Sequence, residues 1–223
     1  MEKHIHKILS LETSGKTLSL ALLESSGTGP RTLGEIFLDA GYRHSGVLSE
    51  ACQFLVRAAG LAKEDLTCLA VSTGPGSFTG LRVGIAYART LSQFLKIPLI
   101  GVPVFEILNR QAAKDPDSRG KWTCVAIESI GKEVYFGVFK PGSQRPAGPY
   151  QVLSAQALEK KLAKLRAKKV LSPSSHPPQA KVLGEIALER AGRASAKNWH
   201  KVVPFYLRAP IAVERAGKQR KHK

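Results

Sequence analysis

The sequence is poor in the residues that build disulfide frameworks, and it lacks membrane-spanning segments. Its 223 residues include three cysteines, Cys52, Cys68 and Cys124, which are widely spaced and form no C-x-x-C pair. This usage indicates buried free thiols in a reducing compartment. No apolar run approaches the roughly 20 residues that cross a bilayer, and the N-terminus has no signal-peptide pattern. We therefore expect a cytoplasmic protein that makes no contact with a membrane.

Catalytic and metal-binding motifs are also missing. The six histidines form no H-x-x-x-H or H-E-x-x-H pattern, so we expect no metal site. Residues 15–17, Gly-Lys-Thr, resemble the end of a phosphate-binding P-loop, but Ser10 stands where that motif needs its first glycine. A G-x-S-x-G nucleophile elbow around Ser77 fails because Pro75 occupies the first glycine position. The sequence predicts no catalytic residues.

Acidic residues are scarce and the charge is uneven. Asp and Glu number 17 against 34 Lys and Arg, a formal net charge of +17, while the hydrophobic fraction of 43% is too high for a disordered polycation. Residues 1–110 carry a net charge of +2 and residues 111–223 a net charge of +15. The basic half favours a polyanionic partner such as RNA through counterion release. A solvated helix face with a solubility tail explains the same charge.

Two similar segments open the two halves of the chain. Strand-like runs flank a glycine-containing turn at residues 8–22 and again at residues 123–139. Three residues of the first segment recur at the same spacing in the second: Glu12, Gly15 and Lys16 correspond to Glu128, Gly131 and Lys132. This repetition predicts a duplicated α/β domain. We place the subdomains at 1–103 and 104–216 and a disordered basic tail at 217–223.

Apolar residues at helical spacing predict three long helices. The first covers residues 45–58, with an apolar stripe that includes Phe54 and Ala58, and the second covers residues 79–95. The third covers residues 155–169, capped by Ser154, and has a basic outer face. The candidate RNA contacts on this face and in the tail are Lys160, Lys161, Lys164, Lys168, Lys218, Arg220 and Lys221.

Two turns contain small and hydroxyl-bearing residues. A loop and helix start follow a buried strand and consist of Gly74, Pro75, Gly76, Ser77, Phe78, Thr79 and Gly80. Their backbone N–H groups are suited either to an anion or only to a tight turn. In the first hairpin, Glu12, Thr13 and Ser14 are candidates for a phosphate or Mg²⁺ contact, or are ordinary turn residues.

The second helix is apolar nearly all round. Between residues 83 and 95 its only long polar side chains are Arg89 and Gln93. Such a helix needs cover on nearly all sides. Gly84 and Ala88 lie four residues apart and leave a flat track for close helix packing. The helix is therefore either enclosed in its own domain or docks a partner subunit with one face.

Several stretches together resemble the TsaB (YeaZ) family, the dimerization subunit of the bacterial machinery that makes threonylcarbamoyladenosine (t6A) in tRNA. They are ILSLETS at 8–14, HS at 44–45, STGPGSFTGLRVGI at 72–85, GV at 101–102, EVY at 133–135 and PFYLR at 204–208. The GPGSFTGLR segment is the specific signal. The resemblance spans the chain and is densest between residues 7 and 105.

The resemblance implies an actin-like ATPase (ASKHA, RNase H-like) fold and a non-catalytic scaffold. Such a subunit binds a TsaD-like catalytic paralogue, and a TsaE-like ATPase binds the pair. The complex modifies adenosine 37 of tRNA. Nucleotide is then expected only at a shared interface, and a homodimer is an alternative state of the isolated chain. The implied docking residues are His44, Leu48, Cys52, Arg82, Gly84, Tyr87 and Ala88.

The sequence departs from this family at both hairpin turns. Relatives usually have Asp where this chain has Glu12, and commonly read I-D-A-R where residues 127–130 read Ile-Glu-Ser-Ile. The missing arginine removes a potential phosphate contact, so we do not expect independent nucleotide binding. Two alternative functions remain from the residues themselves. They are an actin-like ATPase or small-molecule kinase, and an RNA-binding module acting through the basic half.

Overall fold

The computed structural model describes residues 6–26, 29–41, 43–129, 133–165 and 168–207, which form two β-sheets with helices packed on them. The strands are β1 (Lys7–Glu12), β2 (Thr17–Ser26), β3 (Gly29–Asp39), β4 (Cys68–Gly74), β5 (Leu99–Pro103), β6 (Trp122–Glu128), β7 (Glu133–Phe139), β8 (Gln151–Ser154) and β9 (Lys168–Leu171). The α-helices are α1 (His44–Ala58), α2 (Phe78–Leu95), α3 (Val104–Ala113), α4 (Ala155–Ala163) and α5 (Ala180–Ala191).

The two sheets repeat one topology. The first has the strand order β3-β2-β1-β4-β5 and the second has the order β8-β7-β6-β9. Each begins with an antiparallel hairpin, and the first strand of each hairpin also pairs in parallel with a later strand, β1 with β4 and β6 with β9. The shared arrangement confirms the α/β fold with two related halves that the repeated hairpins predicted.

The central strands of the first sheet are buried on both faces. Leu9 of β1 belongs to an apolar cluster with α1 and α2, while its neighbour Ile8 belongs to a second cluster with α5. Successive residues of a strand point to opposite faces, so both kinds of position must be apolar when helices cover both sides. Strand β4 follows the same rule, because Leu69 belongs to the first cluster and Ala70 to the second, which explains its continuous hydrophobic run.

Helix α5 requires a correction to the predicted subdomain division. It belongs to the second half of the sequence, yet it packs against β1, β2, β4 and β5 of the first sheet. Leu183 and Ile186 share a buried cluster with Ile8. Ion pairs also join it to α3, with Arg110 Nη1 lying 2.7 Å from Glu189 Oε1. Residues 104–207 therefore contribute to the packing of both sheets, and α5 packs across the predicted boundary at residue 103.

The third predicted helix is too long. Helix α4 ends at Ala163, and residues 168–171 form β9, which pairs with the start of β6. The lysine-rich sequence favours a helix locally. It forms a strand instead, because it then makes backbone hydrogen bonds along the side of β6 that does not pair with β7. The sequence also missed α3 and β8, and β4 continues to Gly74, where a loop was expected. The predicted tail at 217–223 lies outside the described residues.

Glycine at position 184 allows α5 to lie directly on the first sheet. A Cβ atom there would come within 2.3 Å of Leu23 Cδ1 and 2.8 Å of Ser10 Oγ. We expect Gly184→Ala to lower the free energy of unfolding by about 1–3 kcal/mol, because the helix and the sheet must separate. Chemical denaturation of the full chain measures this.

Gly192 provides the matched control for that substitution. It follows the same helix with a φ of −64°, and a Cβ atom at this position meets nothing within 4 Å. Gly192→Ala is therefore expected to leave stability unchanged or to raise it by up to about 1 kcal/mol. Equal unfolding free energies for the two variants would contradict the close packing of α5.

Candidate functional site

The first hairpin turn lies beneath the starts of both α1 and α2. Glu12, Thr13 and Ser14 have exposed fractions of 1%, 0% and 5%. The backbone N–H of Ser77 donates to the Ser14 carbonyl at 2.7 Å. His44 Nε2 lies 2.8 Å from the carbonyl oxygen of residue 15 and must donate to it, because a carbonyl only accepts. The turn therefore fixes the beginnings of both helices.

Three glycines make this close approach possible. A Cβ atom at Gly76 would lie 2.5 Å from the Ser14 carbonyl oxygen, and one at Gly80 would lie 2.1 Å from that of Thr13. A Cβ atom at Gly84 would lie 2.2 Å from Thr13 Oγ1. Positions 80 and 84 lie one above the other on a helix, so they form the contact surface for the turn. The glycine-rich segment thus packs the helix onto the turn.

The other residues of the glycine-rich segment lie at the start of α2, where each has a different role. Ser77 caps α2, since its hydroxyl accepts from the N–H of Gly80 at 3.2 Å. The Phe78 side chain is exposed, and the guanidinium of Arg82 lies 3.8 Å from the centre of its ring. Thr79 is exposed beside it and does not act as the cap. An N-terminal cap and an aromatic–cation pair therefore occupy the start of this helix.

Unpartnered polar atoms surround the hairpin turn. Within the described residues, hydrogen-bond partners are lacking for four buried atoms of this region: Glu12 Oε2, Thr13 Oγ1, His44 Nδ1 and Ser72 Oγ. Burial raises the pKa of Glu12 to about 7, although the hydrogen bond from the Ser14 N–H and the polar environment near Ser72 oppose the shift. The carboxyl therefore holds its proton to near neutral pH, because the charged form is poorly solvated there.

This environment corrects the interpretation of Glu12, Thr13 and Ser14 as an open phosphate or Mg²⁺ site. The starts of α1 and α2 cover all three residues, so they do not face solvent in the single chain. Magnesium also prefers ionised carboxylates, whereas this carboxyl titrates near neutral pH. The turn therefore serves packing in the folded chain.

Most of the predicted docking residues also lie in the interior. His44, Leu48 and Cys52 are 1–2% exposed, and Ala88 is fully buried. Gly84 contacts the hairpin turn, as described above. These five residues form the inner stripes of α1 and α2, so their side chains do not form a contact surface. The flat track predicted on α2 is used by the chain itself. Arg82 is exposed and Tyr87 is half-buried.

The outer surfaces of the same two helices form a different face, here called the α1/α2 face. It carries Phe54 of α1 and Phe94 of α2, which are 62% and 67% exposed, the largest values for big apolar side chains in the described residues. Other exposed residues of the same two helices include Gln53, Arg57, Ala86, Thr90 and Gln93. The prediction that Phe54 and Ala58 share one stripe with the other apolar residues of α1 was therefore wrong at both positions, because the remainder of that stripe, such as Leu48, is buried.

The predicted basic helix face is divided between different elements. Lys160 and Lys164 are exposed at α4, but Lys161 donates to Gln151 and lies 5.6 Å from the centre of the Phe136 ring. Lys168 belongs to β9, and its Nζ donates to the backbone of residue 165 at 3.2 Å. Two of these four lysines are thus exposed and two are half-buried, and their role as RNA contacts stays a prediction. Lys218, Arg220 and Lys221 lie outside the described residues.

Within the described parts of the chain, no group of three or more His, Cys, Asp or Glu residues is placed to hold a metal ion. Likewise, none of the helices found there combines the length and apolar character needed to cross a bilayer.

Comparison with known proteins assigns the family. A family model described as "TsaD: tRNA N6-adenosine threonylcarbamoyltransferase" matches residues 38–176, more than half of the chain. The chain belongs to the TsaD family. A Bacillus subtilis relative named "tRNA threonylcarbamoyladenosine biosynthesis protein TsaB" is 35% identical over 101 residues, which are 45% of this chain and 42% of the relative. Similarity to TsaB-named proteins supports the TsaB (YeaZ) assignment within the TsaD family.

Two further proteins are similar to this chain, one in part of its sequence and one in its fold. A Cryptococcus neoformans tRNA N6-adenosine threonylcarbamoyltransferase is 40% identical over 92 residues, 40% of this chain and 25% of that protein. The matched regions are thus less than half of the Bacillus and Cryptococcus proteins. The solved structure of YeaZ from Pseudomonas aeruginosa superposes with a TM-score of 0.73 at 23% identity, covering 91% of this chain and all of that one. This superposition confirms the predicted fold of the TsaD-family chain.

The raised pKa of Glu12 predicts an unusual pH dependence of stability. The folded chain binds this proton more tightly than the unfolded chain, whose carboxyl titrates near 4.5. Stability contributed by the protonated form is therefore complete below pH 4.5 and is lost as the pH rises through about 7. Because Gln has no proton to lose, Glu12→Gln should remove a pH-dependent loss of about 3 kcal/mol.

Urea denaturation at pH 5 and pH 8 measures the difference. We expect the wild-type chain to lose more unfolding free energy between these values than Glu12→Gln does. Glu159→Gln removes the same charge from an exposed position on α4 and should retain the wild-type pH dependence. Parallel behaviour of the wild type and Glu12→Gln would show that this carboxyl is ionised in the fold.

Proposed function

We propose that the chain is a non-catalytic scaffold subunit that binds a TsaD-like catalytic paralogue through the α1/α2 face. The pair would support N6-threonylcarbamoylation of adenosine 37 in tRNA. The observation that carries the docking proposal is the exposure of Phe54 and Phe94 on adjacent helices. The names of the relatives, which refer to threonylcarbamoyladenosine biosynthesis and to its transferase, indicate the pathway.

The chemistry of the α1/α2 face suits a protein partner. Two exposed aromatic rings present a large apolar area, and exposed aromatic side chains are enriched at the centres of interfaces. Small and polar neighbours such as Ala86 and Thr90 allow a facing helix to approach. Lys63 Nζ lies 4.9 Å from the centre of the Phe94 ring and provides charge at the rim. The face thus has an apolar centre with a polar edge.

The helices of the face are also held in a fixed orientation. Both begin at the first hairpin turn and pack against each other. Buried Leu48 and Ile85 belong to the same core cluster beneath them. A rigid face loses little conformational entropy on binding, which favours affinity. A paralogue with the same fold would present equivalent helices, so like faces can meet about a pseudo-twofold axis.

The transfer reaction is assigned to the partner rather than to this chain. An actin-like catalyst needs a hairpin turn that is open to phosphate groups, whereas Gly76, Gly80 and Gly84 hold this turn closed. The same closure argues against the alternative function as an ATPase or kinase. In the proposed complex, ATP or ADP would bind at the shared interface, and a TsaE-like ATPase would recognise the assembled pair.

The two phenylalanines of the α1/α2 face provide the direct test. Phe94→Ser should weaken binding to a purified TsaD-like protein more than about tenfold, and the double variant Phe54→Ser/Phe94→Ser should abolish the complex. Formation of t6A in a reconstituted reaction should fall in parallel. Because both side chains are largely exposed, thermal stability should change little. Titration calorimetry and nucleoside analysis of the tRNA measure these effects.

Val170→Ser is the matched control, since it removes an exposed apolar side chain from β9 of the second sheet. It should retain both binding and modification. Unchanged binding by the double variant would reject the α1/α2 face as the docking surface. ATP turnover by the isolated chain that is lost in Glu12→Ala would instead support the ATPase alternative. Self-association lost in the double variant would indicate that the face also forms a homodimer.

A further inference from the structure

A cavity of about 240 Å³ lies in the second half of the molecule, away from α1 and α2. Its walls come from the end of α3, the 3-10 turn Pro116–Ser118, the start of β6 and the turn that follows β7. Drug-sized ligands usually occupy larger pockets, of roughly 300–1,000 Å³. The cavity therefore suits a small ligand or one group of a larger ligand.

The charged residues that line this cavity are mainly basic. They are Lys114, Arg119 and Lys121, against the single acid Asp115. Lys169 Nζ lies 2.9 Å from Asp115 Oδ2, compensates its charge and holds the pKa of this carboxyl below its usual range. The local balance at the cavity is therefore positive.

The three cations differ in their existing partners. Lys114 Nζ lies 2.6 Å from Glu185 Oε2, and Lys121 Nζ lies 3.5 Å from Asp117 Oδ1. In contrast, Arg119 forms no ion pair with any residue in the described ranges. A guanidinium offers several N–H donors in a planar arrangement that matches phosphate and carboxylate oxygens. Arg119 is therefore the cation most available to an anionic ligand.

A buried hydroxyl at the same cavity lacks an acceptor. Ser118 lines the cavity and is only 8% exposed, and its Oγ has no hydrogen-bond partner among the described residues. Buried polar groups of folded proteins nearly always have a partner, so this one needs an explanation. The neighbouring wall is ordered, because Asn109 Nδ2 donates to the Ser143 carbonyl at 2.9 Å. A ligand oxygen in the cavity would supply the missing acceptor.

We propose that this cavity binds a phosphate group. Arg119 would provide the principal charge–charge contact, Lys114 and Lys121 would add positive potential, and the Ser118 hydroxyl would donate to one phosphate oxygen. A phosphate has several acceptor oxygens and can use donors from more than one wall of the cavity. Free phosphate, a small phosphorylated molecule and an RNA phosphate share this chemistry. The site is independent of the docking face and of the scaffold role.

Titration with inorganic phosphate at constant ionic strength tests the site in the full chain. Amide resonances of residues 114–115 and 117–121 should shift and saturate in the wild-type spectrum. Arg119→Ala should weaken the affinity by about tenfold or more, as expected for loss of a charged hydrogen bond. Ser118→Ala should weaken it several-fold and leave the melting temperature within a few degrees of the wild-type value.

Arg57→Ala is the matched control, because it removes the same charge from an exposed position on α1. It should leave phosphate affinity unchanged. Equal weakening by Arg57→Ala and Arg119→Ala would overturn the proposal, since net charge alone would then explain the binding. A flat phosphate titration of the wild type would also overturn it.

A second titration distinguishes the sources of the phosphate. Unmodified tRNA is added to the wild type and to Arg119→Ala at the same salt concentration. Weaker tRNA binding by the variant, with competition by inorganic phosphate, supports an RNA phosphate in the cavity. Equal tRNA binding, with phosphate affinity still lost in the variant, supports a small phosphorylated ligand.

Discussion

The contact between the first hairpin turn and the start of α2 determines much of the surrounding structure. Gly76, Gly80 and Gly84 place helix backbone where any Cβ atom would overlap the turn. The same turn accepts the hydrogen bond of His44, so α1 and α2 are positioned together and present one outer face. Closing the turn also removes Glu12 from water and raises its pKa. One steric constraint thus positions the helices of the candidate docking face and buries the first hairpin turn.

The two halves share a topology but are covered differently. Helices lie on both faces of the first sheet because α5 returns from the second half of the sequence. Helix α4 of the second half differs, because none of its residues 155–163 is fully buried. The exposed apolar residues and the basic cavity therefore lie in different halves of the molecule. Exposed phenylalanines lie on the helices of the first sheet, whereas Lys114, Arg119 and Lys121 line the cavity in the second half.

The sequence predicted elements whose signals are local. The hairpins, α1 and α2 follow from periodicity and from caps such as Ser77, and the duplicated topology follows from the repeated hairpin. The orientation of individual side chains was less well predicted. Leu48 and Cys52 were assigned to a partner, yet they belong to the inner stripe. Phe54 was placed on one apolar stripe with Leu48, although its position six residues later turns it well away from Leu48 at 3.6 residues per turn.

Sequence alone determined the α/β class, the two related halves, the glycine-rich segment and the uneven charge, because neighbouring residues encode these features. Tertiary structure decided which residues meet. The lysines of β9 favour a helix locally. The strand forms instead because its backbone hydrogen-bonds to the edge of β6. The return of α5, the covered hairpin turn and the cavity beside Arg119 each join segments that are far apart in the chain. Such contacts depend on shape and burial in three dimensions, which no local pattern records.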